Sequence, residues 1–219
     1  MSISHLMTNI LNVTELASFI VGLFYWKKAK NTIWVWFIVY LGFIVASELT
    51  CNYLHYYAHN TSLINKIIDY IVLPAEFLFL YWLYYKYSDS NKGKFLAIVC
   101  AIIYLASFIA DQFFFQNKVF IFDSVSYCVG NLVLLVIILS FFIRFSKGDE
   151  ILHYQSSMIF WVSLGALIFY LGTLPYFGLI HLLYDKYRTV FNYYTYLMFA
   201  LDWAMYLLFI IGFIKWKPK

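Results

Sequence analysis

The sequence predicts an all-α protein: a polytopic bundle of seven transmembrane helices, a single domain over residues 1–219, N-terminus outside and C-terminus cytoplasmic. Three observations predict it. Hydrophobic residues fill 64% of the 219 positions and charged ones only 12%, whereas a soluble domain is about half apolar and a quarter charged. Seven apolar runs are each long enough to cross a hydrocarbon layer, which takes about 20 helical residues. Basic residues are divided unequally between the two sets of connections, which sets orientation.

The runs are 8–26, 32–57, 63–87, 94–115, 120–145, 157–180 and 190–216. The connections are short and polar: KKAKN, AHNTS, SDSNKGK, QNK, SKGDEILHY and LYDKYR. None can hold a soluble domain, so a functional site must lie among the helices. Many of the 21 Tyr and 7 Trp sit at run ends, where an amphipathic ring suits the interface. The start, MSISHLMTN, has no basic region and no small-residue cleavage site, and reads as no removable signal peptide. The halves show no internal repeat, which counts against transporter folds built from duplicated halves.

One side of the bundle collects Lys27, Lys28, Lys30, Lys86, Lys92, Lys94, Arg144, Lys147, Lys215, Lys217 and Lys219. The other has Lys66, Lys118, Lys186 and Arg188. These eleven and four account for all 15 basic residues, and the richer side is cytoplasmic. The net charge of +4 follows from this topology and does not call for nucleic acid. Cys51, Cys100 and Cys128 lie inside apolar runs, an odd set with neither a disulfide framework nor zinc spacing.

The acids then form a pattern. Glu48, Asn52, His55 and His59 follow at spacings of four, three and four, one face of an α-helix. Glu15 lies in the outer half of the first helix. Asp69 opens the third, with Glu76 seven residues later on the same face. Asp111 ends the fourth, Asp123 begins the fifth and Asp202 lies near the middle of the seventh. The remaining acids of the inner side, Asp89, Asp149 and Glu150, are in loops. Further stripes are Glu15, Ser18 and Gly22; Asp123, Tyr127 and Asn131; Ser163, Tyr170 and Thr173; and Asn192, Thr195, Asp202 and Tyr206. Gly165 and Gly172 allow close helix approach. Pro74 and Pro175 each remove a backbone donor, and a kink at Pro74 would aim Glu76 inward. An ionisable side chain at membrane depth faces a bundle interior or a cavity and marks a functional site by default. The expected site is an outward-opening polar pocket of Glu15, Glu48, Asn52, His55, Asp69, Glu76, Asn131, Tyr170 and Asp202. Like charges and desolvation together call for a cationic or hydrogen-bond-donating ligand, with Glu48 and Glu76 the main acceptors.

Several chemistries are weighed against this pocket. Glu48, His55 and His59 are zinc-ligand types, and seven-helix lipid hydrolases use intramembrane zinc; their pattern needs histidines on late helices, which the seventh run lacks. No Gly-rich phosphate loop, nucleophile elbow or HExxH is present. Retinal is excluded, because residues 190–214 contain no lysine to bind it. Ion movement needs a polar path across the membrane, and stretches such as FLFLYWLYY and LLFIIGF are dry. The segments PAEFLFLYWLYYKY, FWVSLGALIFYLGTLPYF and LDWAMYLLFIIGF resemble a group of small bacterial seven-helix membrane proteins. That resemblance implies the fold and a bacterial cytoplasmic membrane, and carries over no site residue. The resulting expectation is a non-enzymatic sensor or receptor-like protein without a cofactor, working through a membrane or cytoplasmic partner protein. The alternatives are a metal-dependent lipid hydrolase and a small secondary transporter.

Overall fold

The computed structural model describes residues 3–114 and 125–217. Asp123, Lys118, Lys219 and the run ends at 115 and 120 lie outside the described residues. Within them every regular element is helical. The α-helices are α1 (Ile3–Phe24), α2 (Trp26–Ala29), α3 (Trp34–Tyr53), α4 (Thr61–Ile67), α5 (Leu73–Tyr87), α6 (Asn91–Phe114), α7 (Val125–Lys147), α8 (Met158–Gly178), α9 (Ile180–Lys186) and α10 (Arg188–Lys215). Among the described residues five helices are long and apolar enough to cross a membrane: Trp34–Ala58, Asn91–Phe114, Val125–Lys147, Met158–Gly178 and Arg188–Lys215. Helices are what such a sequence must form in lipid, because each backbone donor and acceptor is then satisfied within its own segment.

The burial pattern is inverted relative to a soluble protein. On α6 the outward face carries Phe95, Ile102, Ile109 and Phe113, with Phe95 68% and Phe113 73% exposed. The opposite face buries Ala97, Cys100, Tyr104 and Asp111. In water such an apolar face would be an aggregation surface; against acyl chains it is at rest. The chain is therefore an integral membrane protein by length, composition and exposed surface.

Local chemistry explains the breaks in regularity. Ser90 caps α6 through a hydrogen bond from the Gly93 N–H to its Oγ at 3.1 Å, and Asn60 caps α4 through Leu63 N–H at 3.0 Å, each satisfying a first-turn donor. Pro74 cannot donate to the preceding turn. The backbone answers with a π-helical turn over Ile68–Val72, in which Leu73 N–H reaches back five residues to the Ile68 carbonyl. A second π turn, Leu54–Ala58, ends α3 and closes at His59, which is left-handed at φ 48° and donates its N–H to the Leu54 carbonyl.

Two compact units divide the chain, one of residues 1–45 and 138–219 and one of residues 46–137. The first is built on α1, α8 and α10, and on α3 up to residue 45. Its helices meet at small residues. A Cβ on Gly165 would lie 3.1 Å from the Met205 carbonyl oxygen, and one on Gly172 2.5 Å from Leu201. Phe37 packs against Phe209 and Phe213 at ring separations of 5.2 and 6.0 Å. The second unit is built on α4, α5 and α6 with α7 up to residue 137, around Phe77, Tyr81, Tyr104 and Tyr127. Phe77 lies 5.0 Å from Tyr104 and 5.6 Å from Tyr127. These rings fit because position 130 has no side chain: a Cβ on Gly130 would meet Tyr104 at 2.8 Å and Phe77 at 3.1 Å.

Candidate functional site

Within residues 46–137 the polar groups gather around Tyr104. This side chain is 1% exposed and lies against Gly130 of α7. Beside it the Tyr81 hydroxyl donates to the Gly130 carbonyl oxygen at 2.8 Å, so the aromatic cluster is pinned to α7 by a buried hydrogen bond. Three carboxyl groups lie within electrostatic reach of the Tyr104 hydroxyl: Glu76, Asp69 and Asp111. They come from three different local settings. Asp69 sits in the π turn that Pro74 imposes, Glu76 in the first turn of α5, and Asp111 near the end of α6. Asp111 is 1% exposed, and Ser126 at the start of α7 donates its hydroxyl to Asp111 Oδ2 at 3.2 Å. That bond ties the end of α6 to the beginning of α7. Asn131, one turn below Tyr127, is fully buried.

The expected stripe on α3 is only partly kept. Glu48 and Asn52 are half-buried, whereas His55 and His59 are exposed. The four-three-four spacing assumed a continuous α-helix. The π turn from Leu54 changes the phase, and His59 is the left-handed residue that ends the helix, so it leaves the shared face. His55 instead packs edge-on to Tyr56 at 5.1 Å. Glu48 has Cys51 as an electrostatic neighbour. Among the described residues no three His, Cys, Asp or Glu side chains are placed to hold a metal ion, Glu48, His55 and His59 included. Cys51, Cys100 and Cys128 form no disulfide.

In the other unit Glu15 is 4% exposed, and Ser18 below it is fully buried, returning its hydroxyl to the Glu15 carbonyl at 2.8 Å. The α8 stripe Ser163, Tyr170 and Thr173 is buried throughout. Tyr194 of α10 donates to the Gly172 carbonyl at 3.0 Å, and the Tyr176 hydroxyl pairs with Thr195 at 3.3 Å. Asp202 is half-buried and Asn192 exposed on α10. The Thr173 hydroxyl is buried without a hydrogen-bond partner among the described residues.

The expected residues are thus placed as follows. Asp69 and Glu76 share the surroundings of Tyr104. Glu48, Asn52, His55 and Asn131 belong to the same unit, and Glu15, Tyr170 and Asp202 to the other. Sequence reasoning missed Tyr104 and Ser126 and gave Asp111 no role in the pocket. The available signal was that Tyr104 precedes Asp111 by seven residues, two turns along one face of α6. No protein-family model, curated protein or solved structure matches this chain, so a functional reading rests on the geometry and the chemistry of these groups.

Proposed function

We propose that this protein is a seven-span, receptor-like membrane sensor whose polar site, within residues 46–137, takes a cationic or hydrogen-bond-donating ligand and signals through a partner protein. The observation that carries the reading is that three carboxyl groups, Asp69, Glu76 and Asp111, lie within electrostatic range of the buried Tyr104. Three acidic groups in a space of low dielectric generate a strong negative potential. A cation, or a donor such as an ammonium, is what that potential selects, and the surrounding rings of Phe77, Tyr81 and Tyr127 add cation–π attraction. Glu48 and Asn52 are further acceptors of the same unit. In this reading the short basic connections pass the signal to a partner in the membrane or cytoplasm.

Seven spans are supported by parity. Trp34 at the start of α3 lies 6.4 Å from Trp216 at the end of α10. Phe145 near the end of α7 lies 5.6 Å from Phe160 at the start of α8, and Ser156, just before α8, accepts from Lys217 N–H at 3.2 Å. So α3 begins, and α7 finishes, at one end of the first unit. With α3, α6 and α7 each crossing once, the chain returns to that end only if 61–87, helical without a break, crosses as well. Lys28 at the exit of α1 bonds the Trp216 carbonyl, so α1 ends there too. The basic bias makes that end cytoplasmic.

The test is thermal unfolding of the purified protein with a series of small primary and quaternary amines. The wild type is expected to be stabilised by some of them. Glu76→Gln and Asp111→Asn keep shape and hydrogen-bonding capacity, and are expected to fold while losing most of that response. Equal responses in all three proteins would make these acids helix-packing groups and defeat the ligand reading.

A further inference from the structure

The short helix α2 follows α1 after one residue and brings a cation against the end of α10. The Lys28 ammonium bonds the Trp216 carbonyl oxygen and lies 5.0 Å from the centroid of the Trp216 ring and 5.3 Å from that of Tyr25. Trp216 is buried and meets Trp34 edge-on, and Tyr25 is stacked on Phe213 at 6.3 Å, so both rings are fixed. Two further lysines join this end. Lys215 lies 5.4 Å over the Trp161 ring, which is itself anchored by its Nε1–H to the Gln155 carbonyl at 3.0 Å. Lys217 is held by its backbone bond to Ser156.

We infer that Lys28 and Lys217, with Lys215 at the same helix end, form a binding site for the phosphate of an anionic phospholipid headgroup. An ammonium has three donors; Lys28 commits one to the carbonyl, and the others can take phosphate oxygens. Burial and the nearby Lys217 charge hold the Lys28 ammonium below its ordinary pKa, the signature of cations gathered where an anion would relieve them. The position is that of a headgroup. Tryptophans and lysines at the end of apolar spans sit at the interface, and basic pockets between helices on the cytoplasmic side collect anionic lipids. A lipid, not a soluble phosphate, is indicated by the apolar surface beside the lysines. Leu23 and Phe24 of α1 and Ile214 of α10 are all exposed, Phe24 to 82%, and would lie along acyl chains. The inference is independent of the acidic site and stands or falls without it.

Native mass spectrometry in detergent tests it, with phosphatidylglycerol, phosphatidylcholine and soluble glycerol phosphate as probes. The wild type is expected to retain phosphatidylglycerol over phosphatidylcholine, and the preference to fall about fivefold for each of Lys28→Gln and Lys217→Gln. Lys92→Gln, an exposed lysine of the other unit, is expected to change nothing. Lys217→Gln replaces an exposed side chain, so it keeps the test readable if Lys28→Gln does not fold. An unchanged preference in Lys217→Gln, or glycerol phosphate binding as well as phosphatidylglycerol, would overturn the assignment.

Discussion

Ser126 and Thr173 are both buried hydroxyls in apolar surroundings, and their different partners give opposite expectations. Ser126 donates to the buried Asp111 carboxyl. Deleting that donor removes a hydrogen bond to an acidic group, worth about 1.5–3 kcal/mol, so Ser126→Ala is expected to lower the unfolding temperature. Thr173 has no partner for its oxygen among the described residues, and a buried polar atom left unsatisfied costs about 1–3 kcal/mol. Thr173→Val keeps the branched shape and removes the atom, and is expected to raise the unfolding temperature. A lower one would mean that the Thr173 hydroxyl has a partner in the membrane-embedded protein. These roles could not be read from the sequence. Serine and threonine in an apolar run look alike until it is known which helix lies opposite. Tyr104 was hidden for a related reason, since a tyrosine in an aromatic-rich helix reads equally as an interface residue. Asp69 and Glu76 were legible because a carboxylate within a span is costly and is kept out of contact with lipid.

At the scale of elements, helix contact is decided by glycine positions and helix phase by proline. Gly130 is where the Tyr104 ring rests on α7, and an added Cβ would stand 2.8 Å from it. Gly130→Ala is therefore expected to cost about 1–3 kcal/mol through overpacking and to disturb the amine response, because the displaced ring lies within electrostatic range of the three acids. Gly178 has nothing within 4 Å of its added Cβ, so Gly178→Ala is expected to be neutral or slightly stabilising, since alanine favours helix over glycine. Thermal unfolding of the two variants side by side checks this; equal effects would refute the packing account. The extents of the helices were readable from hydrophobic run length, and Gly165 and Gly172 from their spacing. The π turns were not. A kink at Pro74 was expected; beside that proline the structure has a π turn at Ile68–Val72, which the sequence pattern does not announce. The turn at Leu54–Ala58 has no proline to announce it, and it is what takes His59 off the Glu48 stripe.

At the scale of the whole molecule, the proposed direction through the membrane rests on two independent features that must agree. The first is electrostatic: with eleven basic residues against four, the richer side is expected to be cytoplasmic. The proposed parity of the helix ends requires 61–87 to be a crossing segment as well, though Asp69, Glu76 and Lys66 dilute its apolar character. If both hold, the loops at 58–62 and 183–188 share one face of the membrane, and the loop at 88–94 shares the other with the end of α10. A reporter fused to the C-terminus is then expected to read as cytoplasmic. Single cysteines placed at Asn60 or Lys186, in a background with Cys51, Cys100 and Cys128 replaced, are expected to react with an impermeant thiol reagent in intact cells; one at Ser90 is expected to react only after lysis. The Ser90 cysteine decides between the arguments, because it follows the segment whose crossing is inferred and not evident from composition. Its labelling from outside, with Asn60 also labelled, would leave 61–87 on one face, breaking the parity argument and the seven-span topology together.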